Sequence, residues 1–511
     1  MDKPGDYNAV DALLDANVAK GFGDKPAFVD PARTLTYGEL QVASNQVANM
    51  LCGLEIRREG RVAVLMYDTV DYPCVFWGAI RAGIVPVCIN TLLKTDNYAY
   101  MLADSRVEAL IISAPLLEIV RPLLKDMPLL KHIIVSGGDG SEYSDLNDLM
   151  EQASDEFETI ATSGDETAFW LYSSGSTGAP KGVRHVHTSM EYVASNYGKE
   201  IIGIQHDDVC FSAAKLFFAY GLGASMAIPM SVGATTILLP ERPTPEAVLN
   251  LFGIYNPTLF FGVPTLYTAM LASPDCKLEN SSNRLRLCIS AGEALPAEIG
   301  RCWEKTMETE IIDGIGSTEM LHVFLSNRPG EVRYGSSGRE ITGYKLRLAD
   351  EDGHSVRDGD LGELLVSGGS AGDGYWNQRA KSRATFAGMW VHTGDKYTRD
   401  AEGYYYYCGR TDDMFKVSGR WVSPFEIEQA LSVHPAVLEA AVVAQEDDQG
   451  LVKPKAYVVL NEGVCSDGLY EELKEHVKKE AGLWKYPRWV DFVDDLPKTA
   501  TGKIQRFKLR A

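Results

Sequence analysis

Short apolar runs alternate with longer helical stretches along most of this chain. Buried strands are predicted at Arg61–Met66, Glu108–Ser113, His132–Val135, Thr235–Leu239, Thr258–Phe261, Arg286–Ser290 and Glu310–Ile312. Strands that alternate with helices form parallel sheets covered by helices. Near-continuous apolar strands are typical of sheets buried on both faces. The pattern therefore predicts an α/β fold built on parallel sheets.

The pattern changes twice toward the C-terminus. From about Leu346 the strands become shorter and are separated by Gly-Asp turns, which favours an antiparallel, barrel-like subdomain. After a charged turn at Gly409–Asp413, Ser423-Pro-Phe-Glu426 has the pattern of a capping box with proline in the first turn of a helix. A small α+β domain is completed by strands at Val437–Ala444 and Lys455–Leu460, a helix at Tyr470–Glu480 and a strand near Trp489–Val493.

A chain of 511 residues is expected to form two or three domains. We predict one domain over residues 1–411 and a second over residues 412–511. The polar turn at the boundary could act as a hinge, because loop-end residues absorb large backbone changes, or as a rigid linker.

Charge and cysteine content exclude several classes of protein. The net charge of -21 argues against nucleic acid or an anionic membrane as a partner. Nine cysteines without a Cys-x-x-Cys pair indicate neither a disulfide framework nor a zinc site. Reduced thiols are typical of the cytosol, and the N-terminus lacks the layout of a signal peptide. We therefore expect a cytoplasmic protein.

The segment from Leu216 to Pro240 contains no charged residue, and its length alone would allow a membrane span. Glycines and a proline interrupt it, and Ser231-Val232-Gly233 has the composition of a turn. The segment therefore predicts a buried helix, a turn and a strand at Ala234–Leu239 rather than a span.

A glycine- and hydroxyl-rich loop follows the apolar run Ala168–Leu171. Tyr172–Gly182 reads Tyr-Ser-Ser-Gly-Ser-Thr-Gly-Ala-Pro-Lys-Gly. Such a loop at a strand end presents backbone N–H groups, hydroxyls and an ammonium at one point, which suits a polyphosphate. It is not a Walker A loop, because that pattern ends in Gly-Lys-Ser/Thr and here Lys181 precedes Gly182. A flexible surface loop is the alternative.

Further polar motifs follow predicted strands or turns. Ser290–Glu293 and Asp313–Glu319 each end a strand, at the edge where open α/β sheets bind ligands. Glu319 could hold Mg²⁺ together with phosphate oxygens, or it could be a solvated side chain. His392–Asp395 and Gly409-Arg410 carry an Asp and an Arg that suit ribose hydroxyls or phosphate, and Pro497–Lys503 carries a lysine on a basic loop.

In this order, the motifs make the whole chain resemble the acyl-adenylate-forming superfamily of acyl-CoA ligases, peptide-synthetase adenylation domains and luciferases. The resemblance implies a large N-terminal domain of two parallel-type βαβ sheets with a small barrel-like subdomain, followed by a small mobile α+β domain. A closer similarity is to the benzoate–CoA ligase subgroup. It is carried by Asn90–Leu92, Leu216–Leu222, Ser317–His322 and Lys498–Arg510. Arg420-Trp421 is a bulky departure from the subgroup beside the expected CoA tunnel.

The resemblance implies a role for each motif. Lys503, Thr318 and Glu319 would be catalytic, Thr177 and Glu319 would hold Mg²⁺, and Asp412 would be the hinge. ATP and CoA would be bound by Ser173, Ser174, Gly175, Ser176, Thr177, Gly178, Lys181, Gly292, Glu293, Ala294, Asp313, Gly314, Ile315, Gly316, Ser317, Asp395, Arg410, Lys416, Ser418 and Gly419. An aromatic acid would lie against Phe218, Ala219, Tyr220, Gly221, His322 and Val323, although Phe217–Tyr220 could also be ordinary core.

The activity implied is that of an acid–thiol ligase. It would convert benzoate, or a hydroxy- or aminobenzoate, with ATP and CoA into the aroyl-CoA, AMP and pyrophosphate through an aroyl-AMP intermediate. A module that loads a carrier protein in trans and a non-catalytic ATP- or acyl-binding protein are the alternatives. The resemblance also implies that Pro497–Arg506 is a target of protein acetyltransferases acting on Lys503, and it allows a homodimer.

Overall fold

The computed structural model describes residues 6–138, 142–173, 179–417, 420–466, 468–498 and 504–510. The chain divides into two compact units. The first unit comprises residues 1–345 and 366–391, and the second comprises residues 346–365 and 392–511. The boundary that the sequence predicts between residues 411 and 412 stays a prediction.

The first sheet has eight strands and lies in the first unit. In spatial order they are Gly374–Tyr375, Lys181–Val186, Thr167–Ser173, Val85–Cys88, Arg61–Leu65, Ala109–Ser113, His132–Ser136 and Ser144–Asp145. All pairs from Thr167–Ser173 to Ser144–Asp145 are parallel. Lys181–Val186 and Gly374–Tyr375 extend the sheet in antiparallel fashion. Every side chain of Ala109–Ser113 is buried, as expected for a strand covered on both faces.

The second sheet has nine strands and also lies in the first unit. In spatial order they are Arg339–Glu340, Val323–Ser326, Ile311–Gly316, Leu287–Ser290, Leu259–Gly262, Val209–Ser212, Thr235–Ile237, Pro26–Val29 and Thr34–Thr36. The six strands from Ile311–Gly316 to Pro26–Val29 pair in parallel. The outer pairs on both sides are antiparallel. The first unit therefore has the two parallel-type sheets that the resemblance implies.

Helices and helical turns connect these strands. Those described in the first unit are Asp11–Asp15, Val18–Phe22, Tyr37–Gly53, Asp71–Arg81, Thr95–Ser105, Ala114–Leu116, Leu117–Leu124, Leu146–Glu151, Thr188–Val193, Ala194–Ile202, Ala219–Leu222, Gly223–Ala227, Ile228–Met230, Pro245–Tyr255, Pro264–Ala272, Leu278–Asn280, Ala297–Met307, Thr318–Met320 and Arg379–Thr385. Local sequence sets where they begin. Tyr37–Gly53, for example, starts at a capping box in which Thr36 and Glu39 each bond the other's backbone N–H.

The second unit combines a β subdomain with a small α+β group. Lys345–Ala349, Gly362–Ser367, Trp390–Arg399 and Tyr405–Arg410, which lie mainly in this unit, are successive neighbours in one sheet. The short strand Phe386–Ala387 of the first unit pairs with the start of Trp390–Arg399. The α+β group contains strands Phe415–Val417, Arg420–Val422, Val437–Glu446, Val452–Leu460 and Trp489–Phe492, and helices Pro424–Ser432, Leu469–Ala481 and Arg506–Lys508.

The predicted strands and helices are confirmed to within a few residues at their ends. The largest difference is at the predicted strand Glu310–Ile312, which spans Ile311–Gly316. The predicted strand Thr235–Leu239 spans Thr235–Ile237. Pro424–Ser432 starts at Ser423, whose Oγ accepts from Glu426 N at 3.2 Å. Leu216–Pro240 forms short buried helices, a turn and a strand, as expected. Among the residues described, no helix has the length and apolar character that a membrane crossing needs.

Candidate active site

The glycine-rich loop joins two antiparallel strands of the first sheet. Thr167–Ser173 leads into it and Lys181–Val186 leaves it, with Ser173 opposite Lys181 in the register. Side chains directly opposite each other in an antiparallel pair lie on the same face of the sheet. Ser173 and Lys181 therefore stand together at the base of the loop. The predicted phosphate contacts Ser174, Gly175, Ser176, Thr177 and Gly178 lie outside the described residues.

The Glu319 carboxylate lies beside this base. Its Oε1 accepts from Ser173 Oγ at 3.2 Å and from Tyr375 OH at 2.8 Å. Lys181 Nζ is 3.7 Å from the same oxygen and donates to Tyr375 OH at 3.1 Å. The Glu319 side chain is 14% exposed, so it is partly shielded but still reachable. We call Ser173, Lys181, Glu319 and Tyr375 the Glu319 cluster.

The sequence alone does not indicate that Tyr375 belongs to this cluster. It reaches the cluster because Gly374–Tyr375 pairs with Lys181–Val186, placing Tyr375 opposite Val183. That pairing joins segments almost two hundred residues apart, and neither local propensity nor spacing predicts it. The one available signal was the aromatic pair Tyr375-Trp376 directly after a Gly-Asp-Gly turn.

A short helix and a glycine-rich turn hold Glu319 in place. Thr318–Met320 is a single 3₁₀ turn capped by Ser317, whose Oγ accepts from Met320 N at 3.2 Å. Gly372 N donates to Glu319 O at 2.8 Å, and Ser370 Oγ donates to Met320 O at 2.8 Å. The backbone that carries the carboxylate is therefore held at the carbonyl of Glu319 and at both polar groups of Met320.

The predicted nucleotide contacts Gly292–Ala294 and Asp313–Ser317 lie on neighbouring strands of the second sheet and in the turns that follow them. Ser290, the last residue of Leu287–Ser290, is the register partner of Asp313 in the middle of Ile311–Gly316. Burial raises the pKa of the Asp313 carboxyl to about 8, and Leu295 N donates to its Oδ2 at 3.4 Å. Of the other predicted contacts, Gly292, Glu293 and Ala294 lie in the turn after the first of these strands. Gly314, Ile315 and Gly316 end the second strand, and Ser317 follows it. They meet at one sheet edge, as expected.

The predicted aryl-acid residues are also brought together. Phe218 precedes the short helix Ala219–Leu222, and Tyr220 O lies 3.1 Å from His322 Nε2. The rings of Tyr220 and His322 have centroids 5.4 Å apart. Because a carbonyl can only accept, His322 carries its proton on Nε2 in this contact. Burial lowers the pKa of His322 to about 3, so the ring is neutral near pH 7.

We call Phe218–Gly221, His322 and Val323 the aryl-acid wall, and glycine is required where the packing around it is closest. A Cβ at Gly223 would lie 2.2 Å from His322 Cδ2, and a Cβ at Gly221 would lie 2.1 Å from the Lys215 carbonyl oxygen. Val323, the last predicted pocket residue, begins the strand Val323–Ser326 and is buried. The segments around residues 220 and 322 are thus packed directly against each other.

Leu321 links the Glu319 cluster to this wall through a strained turn. Its φ is 67° and its ψ is -41°, and His322 N donates to Met320 O at 2.8 Å. These are the features of a γ-turn, which is rare and strained for a residue with a Cβ. The turn reverses the chain so that Glu319 and His322, three residues apart, belong to different groups of contacts.

In the second unit, Asp395 and Arg410 are register partners in adjacent strands. Arg410 Nη1 donates to Asp395 Oδ1 at 2.9 Å and to Thr393 O at 2.8 Å. The two residues that the sequence predicts at the ribose are therefore held as one charged pair. Asp412 follows in the next turn, and its backbone oxygen accepts from Arg510 at 3.2 Å.

Lys416 lies in the hairpin strand Phe415–Val417, with Nζ 3.6 Å from Glu351 Oε1 and 4.5 Å from the Trp421 ring centroid. The departure at Arg420-Trp421 is exposed, and the Arg420 guanidinium lies 5.7 Å from the Trp484 ring centroid. Ser418, Gly419 and Lys503 lie outside the described residues.

A buried histidine behind the loop hairpin predicts an acid sensitivity. His185 is fully buried and stacks on Phe169 with ring centroids 5.2 Å apart. Burial lowers its pKa from 6.5 to about 4. Between these two pKa values the unfolded chain binds more protons than the folded protein. The free energy of unfolding therefore falls as pH drops below about 6.5. At pH 5 this loss is about 2 kcal/mol.

We expect His185→Phe to flatten the fall of the thermal unfolding midpoint between pH 7.5 and pH 5. The change removes the imidazole that must stay neutral in the folded state. Thermal unfolding followed by circular dichroism, for wild type and variant across that pH range, measures how the midpoint depends on pH. His206→Gln, at an exposed histidine of the same unit, is the control and should keep the wild-type slope. An unchanged slope in His185→Phe would contradict the prediction.

Comparison with known proteins identifies the family. The model of the AMP-binding enzyme family matches residues 15–376, and that of the AMP-binding enzyme C-terminal domain matches residues 426–503. A 4-hydroxybenzoate–CoA/benzoate–CoA ligase of Rhodopseudomonas palustris is 54% identical over 99% of this chain and 94% of its own length. A benzoate–CoA ligase of Thauera aromatica is 51% identical over 99% of this chain and 96% of its own length.

Two solved structures are similar throughout. A benzoate CoA ligase from Burkholderia xenovorans has a TM-score of 0.91 at 48% identity and covers 99% of this chain and all of its own. The anthranilate CoA ligase AuaEII, in complex with anthranoyl-AMP, has a TM-score of 0.94 at 41% identity and covers 99% of this chain and 97% of its own. The resemblance seen in the motifs is confirmed: this chain belongs to the AMP-binding enzyme family.

Proposed function

We propose that this chain is an aryl-acid–CoA ligase that forms the thioester of benzoate or a ring-substituted benzoate at the expense of ATP. One observation carries the proposal. Residues 319–322 place the carboxylate of the Glu319 cluster on one side of the Leu321 turn and the Tyr220–His322 wall on the other. A carboxylate beside the predicted phosphate loop and an aromatic wall, both reached by one short segment, suit a reaction between a nucleotide and an aromatic acid.

The relatives support the class of substrate. Proteins named as benzoate, 4-hydroxybenzoate and anthranilate CoA ligases are similar to this chain over 86% or more of their own lengths. These names differ only in one ring substituent. The wall around His322 combines aromatic and apolar side chains with a neutral imidazole, which fits an uncharged aromatic ring.

The first half-reaction would form the acyl adenylate. A carboxylate oxygen of the aromatic acid attacks the α-phosphorus of ATP, and pyrophosphate leaves. The work of the protein is positioning and neutralisation of charge in a crowded anionic transition state. Ser173 and Lys181 would hold the pyrophosphate end of ATP, and Lys503 would bridge the substrate carboxylate and the α-phosphate. A lysine suits that place because it acts as a mobile point charge.

The residues around Glu319 fit a magnesium ion. Mg²⁺ is usually bound by one or two carboxylates together with phosphate oxygens and water, and Glu319 offers one partly shielded carboxylate beside the predicted phosphate loop. Bound there, the ion would supply charge neutralisation to the phosphates. Thr177 would be the second protein ligand.

The second half-reaction would transfer the acyl group to CoA. The thiol sulfur attacks the carbonyl carbon of the aroyl-AMP, AMP leaves, and the thiol proton passes to solvent. Residues 412–511 would rotate about Asp412 between the two steps, and Lys416, Ser418 and Gly419 would line the path of the thiol. Acetylation of Lys503 would delete the charge used in the first step and so regulate the enzyme.

We expect benzoate to cause release of pyrophosphate from ATP and, when CoA is added, formation of benzoyl-CoA. Both products are measurable on the purified chain by coupled absorbance and by chromatography. Pyrophosphate release without a CoA thioester would favour a module that loads a carrier protein, and neither product with any aryl acid would overturn the proposal. A comparison of kcat/KM for benzoate, hydroxybenzoates and aminobenzoates would then identify the preferred acid.

A further inference from the structure

A buried carboxylate and a buried ammonium lie behind the aryl-acid wall, outside every motif discussed above. Asp68 follows the strand Arg61–Leu65 of the first sheet and is 3% exposed. Lys215 follows the strand Val209–Ser212 of the second sheet and is 8% exposed. Charged side chains are almost never buried to this degree unless they are paired or bonded. Their contacts therefore call for an explanation.

Asp68 bonds the backbone at the start of the segment that carries the wall. Its Oδ1 and Oδ2 accept from Leu216 N at 3.3 and 3.2 Å. Burial raises the pKa of the Asp68 carboxyl to about 6, and the charge of Lys215 acts in the opposite direction. Asp68 is therefore an anion near pH 7.5, and its bond to Leu216 is a charge-assisted one.

Lys215 fixes the same segment from the other side. Its Nζ donates to Glu241 O at 2.6 Å and also to Leu239 O. Both acceptors lie just beyond the strand Thr235–Ile237. The ammonium thus anchors the segment to the second sheet, while Asp68 anchors it to the first sheet.

The peptide unit between Lys215 and Leu216 is consequently held at both of its polar groups. Its N–H donates to Asp68, and its carbonyl oxygen accepts from Phe218 N at 2.9 Å. Gly221 packs directly on that carbonyl, because a Cβ there would lie 2.1 Å from the oxygen. A change in the tilt of this peptide would therefore displace Phe218 and Gly221 together.

The displacement would reach the wall itself. Tyr220 lies next to Gly221, and its backbone oxygen accepts from His322 Nε2 at 3.1 Å, while its hydroxyl donates to Ile289 O at 3.1 Å. Resting on the function proposed above, we propose that Asp68, with Lys215, is a positioning residue that sets the aryl-acid wall by fixing the Lys215–Leu216 peptide. In this role Asp68 acts through the peptide and does not touch the reacting atoms.

The test compares Asp68→Asn with wild type in the full-length protein. The amide keeps one acceptor oxygen for Leu216 N but removes the charge. We expect KM for benzoate to rise about tenfold or more, since small displacements at a reaction site carry large penalties. We expect KM for ATP to change less than twofold, because the Glu319 cluster does not share these contacts. The ratio of kcat/KM between benzoate and 4-hydroxybenzoate should also change.

Asp208→Asn is the matched control. Asp208 is a buried carboxylate just before the other end of the strand Val209–Ser212, bonded to Arg286, Thr258 and Gln205 N. Loss of the Asp208 charge should lower the unfolding midpoint. It should not raise KM for benzoate selectively over KM for ATP. The double variant Asp68→Asn/Lys215→Met removes both buried charges. Its unfolding midpoint should lie between those of Asp68→Asn and wild type, and its KM for benzoate should stay raised.

The outcomes separate this inference from the proposed function. If wild type releases no pyrophosphate with any aryl acid, the proposed function fails and the inference falls with it. If wild type is active and Asp68→Asn alters both KM values alike, or behaves as Asp208→Asn does, the positioning role is overturned while the proposed function stands. A selective rise in KM for the aryl acid supports it.

Discussion

Replacing Lys503 by alanine should reduce adenylate formation by two to three orders of magnitude, the usual cost of removing one charge-stabilising donor from a reaction site. Thioester formation from supplied benzoyl-AMP and CoA should change little, because the acyl group is then already activated. Pyrophosphate release measures the first half-reaction, and benzoyl-CoA formed from benzoyl-AMP measures the second.

The chain offers a close control for this experiment. Lys498 lies five positions earlier in the same basic segment, and its Nζ is 2.8 Å from Glu439 Oε2. Lys498→Ala removes an equal charge near the same place in the sequence, and both half-reactions should stay close to wild type. Equal losses of the two half-reactions in Lys503→Ala would show that the lysine does not act in the first step alone.

Glu319→Gln should lower adenylate formation about a hundredfold and shift the Mg²⁺ concentration required for half-maximal rate upward. Glutamine keeps the shape of the side chain and can still accept from Ser173 and Tyr375. What it loses is the negative charge, which is the property that a Mg²⁺ ligand needs. The measurement is the rate of pyrophosphate release as a function of Mg²⁺ at saturating ATP and benzoate.

Glu310→Gln controls for the loss of a carboxylate near the same strand. Glu310 is adjacent to the amino end of Ile311–Gly316, where its Oε2 accepts from Gly330 N at 2.8 Å. It should leave the Mg²⁺ dependence unchanged. A Glu319→Gln enzyme with reduced rate but wild-type Mg²⁺ dependence would assign the carboxylate a structural role within its cluster instead of a metal-binding one.

Much of the fold could be predicted because its strands are locally marked. Ala109–Ser113 and Leu287–Ser290 are short, apolar and followed by small or polar residues, so each is recognisable without knowledge of its neighbours. The helix at Pro424 is marked by its own cap. The strand-end motifs could likewise be placed at a common sheet edge, because parallel strands bring their carboxyl ends together.

The remainder depends on contacts between distant segments. Tyr375 joins the Glu319 cluster only through antiparallel pairing of Gly374–Tyr375 with Lys181–Val186. Asp68 bonds Leu216 across two different sheets, and nothing in the spacing of these residues indicates it. The antiparallel strand Val323–Ser326 was also not predicted, because its short apolar sequence could equally continue a buried turn.

The turn at Leu321 has a consequence for changing the acid that the enzyme accepts. A substitution at His322 or Val323 that moves the backbone would also move Met320 and Glu319, because only the strained residue Leu321 lies between Met320 and His322. Substitutions on that side of the site would therefore change the reaction with ATP together with the selectivity for the acid. Phe218 and Ala219 lie at the start of a separate element, the short helix Ala219–Leu222, where His322 bonds Tyr220 rather than either of these two residues. A search for new ring preferences should therefore begin at Phe218 and Ala219, which lie further from Glu319 along these contacts.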